Sequence, residues 1–318
     1  MKFVQFVNSL LKDTISRNSN LVVYGQNVHA GSCLSGLTRG VSDLDGVIAK
    51  NSQNSENMLV GNGFGMMLSG VSSIFFMKQL DFLLLGIDHL VNTYNIVRQQ
   101  KTKSSFTIFP ITIDSGFEGP QAILNNIDDF CSMADIEAYS FTNKIDAESI
   151  IDEYLVRPGF RILSTGQRLL QSETLHLSLI EKDKTCRYFK YKEGKDVTIV
   201  CFNHAIPYGL ELSSKLNSNR ISSSLFSINT HSEFDITGLL NDIQKTKNLV
   251  LIDDSRSRNP VLKDFLLKIN KSCNLDKEII LTRSIEERLT KPYEDKMNLD
   301  YNNVVSTLLL SKKNNKKI

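Results

Sequence analysis

The sequence predicts an α/β protein built as two doubly wound domains. Three observations lead there. Short β-branched and aromatic runs alternate with segments whose apolar residues recur at helical spacing, the pattern of parallel strands joined by covering helices. At 318 residues the chain exceeds what one hydrophobic core usually organises. A charged and aromatic stretch, Glu181 to Asp196 (EKDKTCRYFKYKEGKD), then interrupts the alternation, which resumes more regularly beyond it. The boundary is placed in that stretch, giving a first domain over 1–185 and a second over 186–318 with a basic tail.

The elements follow in order. MKFVQFVNSLLKD reads as an amphipathic helix, because it reaches Asp13 without a long apolar core or a small-residue cleavage site. Leu21 to Tyr24 (LVVY) is a strand ended by Gly25, and a polar loop follows. Asn57 to Met77 has no charged residue and is long enough to span a bilayer. Its Asn57, Asn62, Ser69, Ser72 and Ser73, with glycines at 61, 63, 65 and 70, argue instead for a buried helix and a buried strand, Ile74 to Met77, broken at Gly70. Leu84, Ile87, Val91 and Tyr94 predict an amphipathic helix over Phe82–Arg98. Phe106 to Ile113 is a third strand, with Pro110 marking an irregularity. Helices are predicted over Gln121–Met133 and Ile145–Leu155. In the second domain the order is strand Val197–Phe202, helix Tyr208–Leu216, strand Leu225–Ile228, helix Ile236–Lys245 and strand Leu249–Ile252. Such short connections make right-handed crossovers.

Composition excludes several classes of function. The 37 Lys and Arg against 35 Asp and Glu leave a net charge of +2, which gives no electrostatic case for nucleic acid or a membrane surface. Lys312, Lys313, Lys316 and Lys317 form a basic cluster read as a frayed, solvated tail. Cys33, Cys131, Cys186, Cys201 and Cys273 are odd in number and lack a CxxC pair, which argues against a disulfide framework and favours a reducing cytoplasm.

Common catalytic signatures are missing: there is no GxSxG, HExxH or GxxxxGK[ST]. Gly61 to Gly65 (GNGFG) loosely resembles a phosphate loop but has neither the full spacing nor an evident preceding strand, so close helix packing is the preferred reading. His29, His89, His176, His204 and His231 show no metal-ligand spacing, and no metal site is assigned.

A set of collinear motifs is more informative. SENMLVGNGFGMMLSG (Ser55 to Gly70), SIFFMKQLDF (Ser73 to Phe82) and GIDHLVN (Gly86 to Asn92) resemble the beta subunits of thiamine-diphosphate-dependent 2-oxo acid dehydrogenases, and also the C-terminal half of transketolases. LVVYGQNV (Leu21 to Val28) and LTRG (Leu37 to Gly40) precede them. EGPQ (Glu118 to Gln121), DVTIVCF (Asp196 to Phe202) and SINTHSEFD (Ser227 to Asp235) follow. The resemblance runs through nearly the whole chain. It implies a thiamine-diphosphate pyrimidine-binding domain followed by a transketolase C-terminal-type domain. It also implies that Glu56, by its place in the SE pair, bonds a ring nitrogen of the aminopyrimidine and lets the imino form take the proton of the thiazolium carbon. The cofactor contacts it implies are Glu56, Gln26, Asn27, Gln79 and Phe82. Read locally, Ser55-Glu56 is an ordinary helix N-cap with a favourable charge in the first turn, and both roles can hold together.

The departures from the pattern fall at informative places. Where the family has a histidine after its GxQ or GPT element, this chain has Ala122. An acid and an aromatic near the pyrimidine are replaced by Phe76 and Gln79, while Asp81-Phe82 remain. Gln26 and Asn27 stand for two acids, Asn229 for an arginine and Glu233 for a proline. No GDG motif occurs, so the resemblance implies that Mg²⁺ and the diphosphate are held by a separate alpha-type chain. An α2β2 heterotetramer is expected, with beta–beta contacts through the C-terminal domain and no turnover by this chain alone. Three alternatives stay open: the C-terminal half of a split transketolase-like ketol transferase, a degenerate non-catalytic partner, and an unrelated doubly wound nucleotide-binding protein.

Overall fold

The computed structural model describes residues 1–114, 122–258, 260–283 and 297–314. Its first sheet contains β1 (Leu21–Gly25), β2 (Val47–Asn51), β3 (Ser72–Met77), β4 (Ser105–Thr112), β5 (Ala138–Ser140) and β6 (Gly159–Gly166). They lie in the order β2-β1-β3-β4-β6-β5, every pair parallel. The second sheet contains β7 (Glu181–Lys182), β8 (Tyr188–Lys192), β9 (Val197–Phe202), β10 (Ser223–Ile228), β11 (Asn248–Asp253) and β12 (Lys277–Thr282). Its order is β12-β11-β9-β10-β8-β7, with the β10–β8 and β8–β7 pairs antiparallel and the rest parallel. The two-domain α/β class is therefore as the sequence predicts.

Helices pack on both faces of each sheet, as parallel strands require. In the first half these are α1 (Phe3–Ser16), α2 (Glu56–Leu68), α3 (Tyr94–Val97), α4 (Ile127–Ser132), α5 (Lys144–Tyr154) and α6 (Gln167–Gln171). In the second they are α7 (Ile206–Ser218), α8 (Thr237–Thr246), α9 (Val261–Ser272) and α10 (Tyr301–Asn314). The apolar interior forms three layers. One lies on the outer face of the first sheet, where Leu59, Val60, Phe64 and Met67 of α2 meet Phe75, Phe106 and Phe160. Another lies on the outer face of the second, under α8 and α9. The largest is shared: Phe3, Val7, Leu11 and Ile15 of α1 join Ile150, Leu163, Phe189, Leu212 and Val304 in one buried cluster. A shared layer ties the two sheets together by apolar burial.

Several predicted elements change. The helix predicted over Phe82–Arg98 is a 3₁₀ segment Leu80–Gly86, a π-helical turn His89–Thr93 and then the short α3. The cause is close packing: a Cβ on Gly86 would stand 2.7 Å from Val60 Cγ2 and 3.4 Å from the Glu56 carbonyl, so the segment lies tightly on the first turns of α2. The helix predicted from Gln121 starts only at Ile127, because Ile123 and Leu124 give their N–H groups to the Asp81 carboxylate instead of to a helix. Residues 115–121, with the EGPQ motif, lie outside the described residues.

The charged stretch Glu181 to Asp196 is regular structure in part. It contains the β7–β8 hairpin, and position 185/186 falls in the turn joining its two strands. Lys190 is 5 % exposed there, its ammonium 2.8 Å from Asp242, so a strand that reads as solvated is buried through a paired charge. Lys312 and Lys313 fall inside α10, while Lys316 and Lys317 lie outside the described residues. Among the described residues no helix is long and apolar enough to cross a membrane. The five cysteines are free.

Candidate functional site

The polar groups named from the sequence gather at the carboxyl ends of β1, β2 and β3, the usual ligand-binding edge of a doubly wound sheet. Gly25 makes that edge possible. Its φ is +142°, and an added Cβ would sit 2.1 Å from the Phe76 carbonyl oxygen. The chain then turns through Gln26 and Asn27, the latter at φ 56°. Asn51, at the end of β2, accepts the N–H of Val28 at 2.7 Å and of His29 at 3.1 Å. Thr38 donates its hydroxyl to the Val28 carbonyl at 2.6 Å and holds the far end of the loop.

Glu56 is the first residue of α2 and is 5 % exposed. Its Oε1 accepts a hydrogen bond from Gln26 Nε2 at 3.1 Å. The cap reading of its neighbour changes: Ser55 occupies the N-cap position but its side chain caps no N–H. The helix is oriented instead by Tyr24, whose hydroxyl donates to the Leu59 carbonyl at 2.8 Å. The glycine run is packing. A Cβ on Gly61 would meet the His89 ring at 2.7 Å, and one on Gly63 would meet the Phe106 ring at 2.2 Å.

Gln79 is half-buried and extended, at the start of the 3₁₀ segment, and with Lys78, Ser32, Ser35 and Gln167 it lines a cavity of about 90 Å³. Leu34 and Ser35 on its wall, with Cys33 just before them, all have left-handed backbone, φ 47° to 59°. Phe82 is half-buried against the outer apolar layer. Asn27 is exposed, and no hydrogen bond joins it to Glu56 among the described residues. Glu56 and Gln26 are thus brought into contact, Gln79 lies on the neighbouring cavity, and Asn27 and Phe82 stand apart from the pair. Sequence reasoning did not assign a role to Asp81. Its carboxylate, held up from its usual range by burial, ties Ile123 and Leu124 to the start of the 3₁₀ segment at 2.9 and 3.1 Å.

A second polar assembly joins the two sheets and was not foreseen. Ser140 N–H donates to the Asn229 carbonyl, and His231 N–H to that of Ala138, so the chain leaving β10 pairs with the edge strand β5. Asn229 Nδ2 reaches the Ser140 carbonyl at 2.8 Å and Asp146 Oδ2 at 3.0 Å. The His231 ring lies between Ser140 Oγ at 2.6 Å and Asp128 Oδ1 at 2.5 Å. Beside it, Arg168 lies 3.5 Å from Asp114 and 3.7 Å from Asp254, both carboxyls fully buried. Among the described residues no group of three or more His, Cys, Asp or Glu could hold a metal ion.

No protein-family model matches the chain. Curated relatives do. It is 22% identical over 271 residues to the mitochondrial pyruvate dehydrogenase E1 component subunit beta of Dictyostelium discoideum, covering 80% of this chain and 74% of that protein. It is 18% identical over 294 residues to the 2-oxoisovalerate dehydrogenase subunit beta of Bacillus subtilis, covering 89% and 88%. Among solved structures, an inactive β4 tetramer of a split-gene transketolase superposes with a TM-score of 0.68 at 13% identity over 96% of each chain. The transketolase of Campylobacter jejuni gives 0.69 at 12% identity over 96% of this chain and 46% of that one. The chain is similar in sequence to pyruvate dehydrogenase E1 beta subunits over most of its length and has a transketolase-like two-domain fold.

In this chain the substituted positions have definite places. Phe76 is fully buried and its ring lies 5.1 Å from that of Phe109, so it is an element of the shared core. Asn229 is fully buried at the seam between the sheets, and Glu233 is exposed beside Lys268. Ala122 is 8 % exposed and directly precedes the segment held by Asp81.

Proposed function

We propose that this chain is the beta-subunit-like component of a thiamine-diphosphate-dependent enzyme acting on a 2-oxo acid, with decarboxylation and transfer of an acyl or aldehyde unit. The pyrimidine-binding domain is 1–185 and the transketolase C-terminal-type domain 186–318. The observation that carries the reading is the buried Glu56 carboxylate at the start of α2, in contact with Gln26.

The residues present fit an aminopyrimidine. A carboxylate accepts from, or shares a proton with, a ring nitrogen, and the Gln26 amide fixes which way that carboxylate faces. Burial strengthens the contact by removing competing water. Gln79 presents an amide on the adjoining cavity, while Asn27 and Phe82, the other contacts implied by the resemblance, stand apart from the Glu56–Gln26 pair. When bound, thiamine diphosphate supplies the electron sink for breaking the bond beside the substrate carbonyl, and the protein supplies orientation and the proton path at Glu56.

The Mg²⁺ and diphosphate end of the cofactor belongs to a separate alpha-type chain carrying GDG, since no such motif occurs here. The assembly is an α2β2 heterotetramer in the cytoplasm, inactive without the alpha-type chain. Exposed Met58 and Leu68 on α2, with Leu84 and Leu85 on the 3₁₀ segment packed against it, support a protein partner on that side.

In the assembled pair, Glu56→Gln lowers hydrogen–deuterium exchange at the thiazolium carbon by at least about a hundredfold, the size of a lost acid–base group. Unchanged exchange, with the coenzyme still bound, removes the catalytic assignment. A second reading, a degenerate non-catalytic partner, draws on Ala122 and on Phe76 being committed to the core. A split transketolase-like ketol transferase is the other alternative, and a panel of 2-oxo acids and ketose phosphates given to the pair separates it from the first.

A further inference from the structure

The loop after β11 reads Ser255-Arg256-Ser257-Arg258, and nothing in the proposed chemistry uses it. It walls a cavity of about 350 Å³ at the carboxyl ends of β11 and β12, together with Lys263 of α9 and Thr282 and Arg283 of β12's end. In the second sheet β10 follows β9 on one side while β11 lies on the other, so the strand order reverses between β9 and β11, one strand in from this crevice. Doubly wound domains bind ligands outside the carboxyl ends of their strands, the edge on which this crevice opens.

The wall is rich in cationic donors. Arg258 and Lys263 are exposed at the rim. Arg256 and Arg283 are set deeper and steadied by backbone carbonyls: Arg256 donates to Ile123, and Arg283 to Asp254 at 2.6 Å and Asp114 at 3.2 Å. The Asp81 carboxylate also faces Arg256. Asp254 faces Arg283 and Arg168 from below. Asp253, the acid on the wall, is turned onto its own loop, accepting from Ser255 N–H at 2.8 Å and Ser255 Oγ at 3.1 Å. Ser257 Oγ is buried with no hydrogen-bond partner among the described residues. Guanidinium, ammonium and hydroxyl donors around one cavity match the oxygens of a phosphoryl group.

We propose that this crevice binds a small phosphorylated metabolite, a phosphate monoester or diphosphate, at a site apart from Glu56 and Gln26. A small molecule is favoured over nucleic acid because the donors are gathered on one cavity while the chain as a whole carries only +2.

The test titrates inorganic phosphate and pyrophosphate into the full chain by calorimetry, against sodium chloride at equal ionic strength. Pyrophosphate is expected to bind at one site per chain. Replacing Arg258 and Lys263 together by alanine is expected to weaken it by at least about tenfold, equal to 1.4 kcal/mol. Both residues are exposed, so the circular dichroism spectrum and thermal midpoint are expected to hold; should they not, Arg258→Gln alone gives the same readout. Binding unaltered by these substitutions, or heats reproduced by chloride, overturns the site. Glu56→Gln leaves pyrophosphate binding intact, so failure here and failure of the Glu56 assignment are distinguishable.

Discussion

Gln26 and Glu56 are thirty positions apart and meet at 3.1 Å because β1 and β2 run parallel and side by side. Gln26→Leu leaves a carboxylate that is 5 % exposed without its amide donor. An unsatisfied buried acceptor costs about 1–3 kcal/mol, so urea unfolding of the isolated chain is expected to show a loss of that size. An unchanged unfolding free energy shows instead that water replaces the amide. What the sequence supplied here was the identity of both residues, through the SE pair and the GQNV loop. It could not supply their contact, nor reveal that Ser55 leaves the helix uncapped, since both depend on how far the β1 loop bends back over α2. Asp81 shows the same limit. Its retention beside Phe82 was visible, but the two N–H groups it holds come from Ile123 and Leu124, more than forty residues away.

At the scale of the element, α2 shows how a glycine run is read. Gly63 faces the Phe106 ring and Gly65 faces open space. Gly63→Ala forces a Cβ into a buried ring and is expected to cost about 1–3 kcal/mol. Gly65→Ala is expected to stabilise the isolated chain by about 0.5–1 kcal/mol, as for any exposed helix-interior glycine. Thermal midpoints moving in opposite directions check the pair. If both fall, Gly65 is also a packing position. Packing also explains why the helix predicted over Phe82–Arg98 breaks into 3₁₀ and π turns: helical spacing of Leu84, Ile87, Val91 and Tyr94 is present, but Gly86 is drawn onto α2 and the regular repeat is lost. β8 was overlooked for the converse reason. Lysines within YFKYK look solvated until Asp242, from α8, supplies the countercharge.

For the whole molecule, the seam between the sheets is a concentration of buried carboxyls. Burial pushes Asp253 up to about 7, with the nearby Asp128 adding to the effect, and pushes Asp114 and Asp146 to about 6. The sign follows from linkage. A carboxyl that holds its proton more tightly folded than unfolded contributes stability that is lost as pH rises through its folded value. His204, kept neutral by burial, acts oppositely and only below its ordinary value of 6.5. The decline from the carboxyls therefore runs from about pH 4 to the folded values of about 6 for Asp114 and Asp146 and about 7 for Asp253, and its last part, from about pH 6.5 to 7.5, comes from Asp253 without opposition from His204. Asp253→Asn is expected to flatten the decline in urea titrations at each pH. A slope equal to that of the unsubstituted chain places the titrating group elsewhere.

By itself the sequence determined the class and order of the chain: parallel α/β halves, the helix opened by Glu56, and a beta-type pattern without a diphosphate-binding motif. These are legible because they are local, set by side-chain periodicity and by short runs of residues. Tertiary structure alone decided that the hairpin in the charged stretch Glu181 to Asp196 belongs to the second sheet, and that α1 lies in an apolar layer common to both halves. It also decided that Asn229 and His231 stitch β10 to β5, and that four cations of one loop and its neighbours surround a single cavity. The physical reason is one of range. Burial of a charge, or contact between residues a hundred positions apart, is an energy shared between distant segments, and neither segment carries a record of it alone.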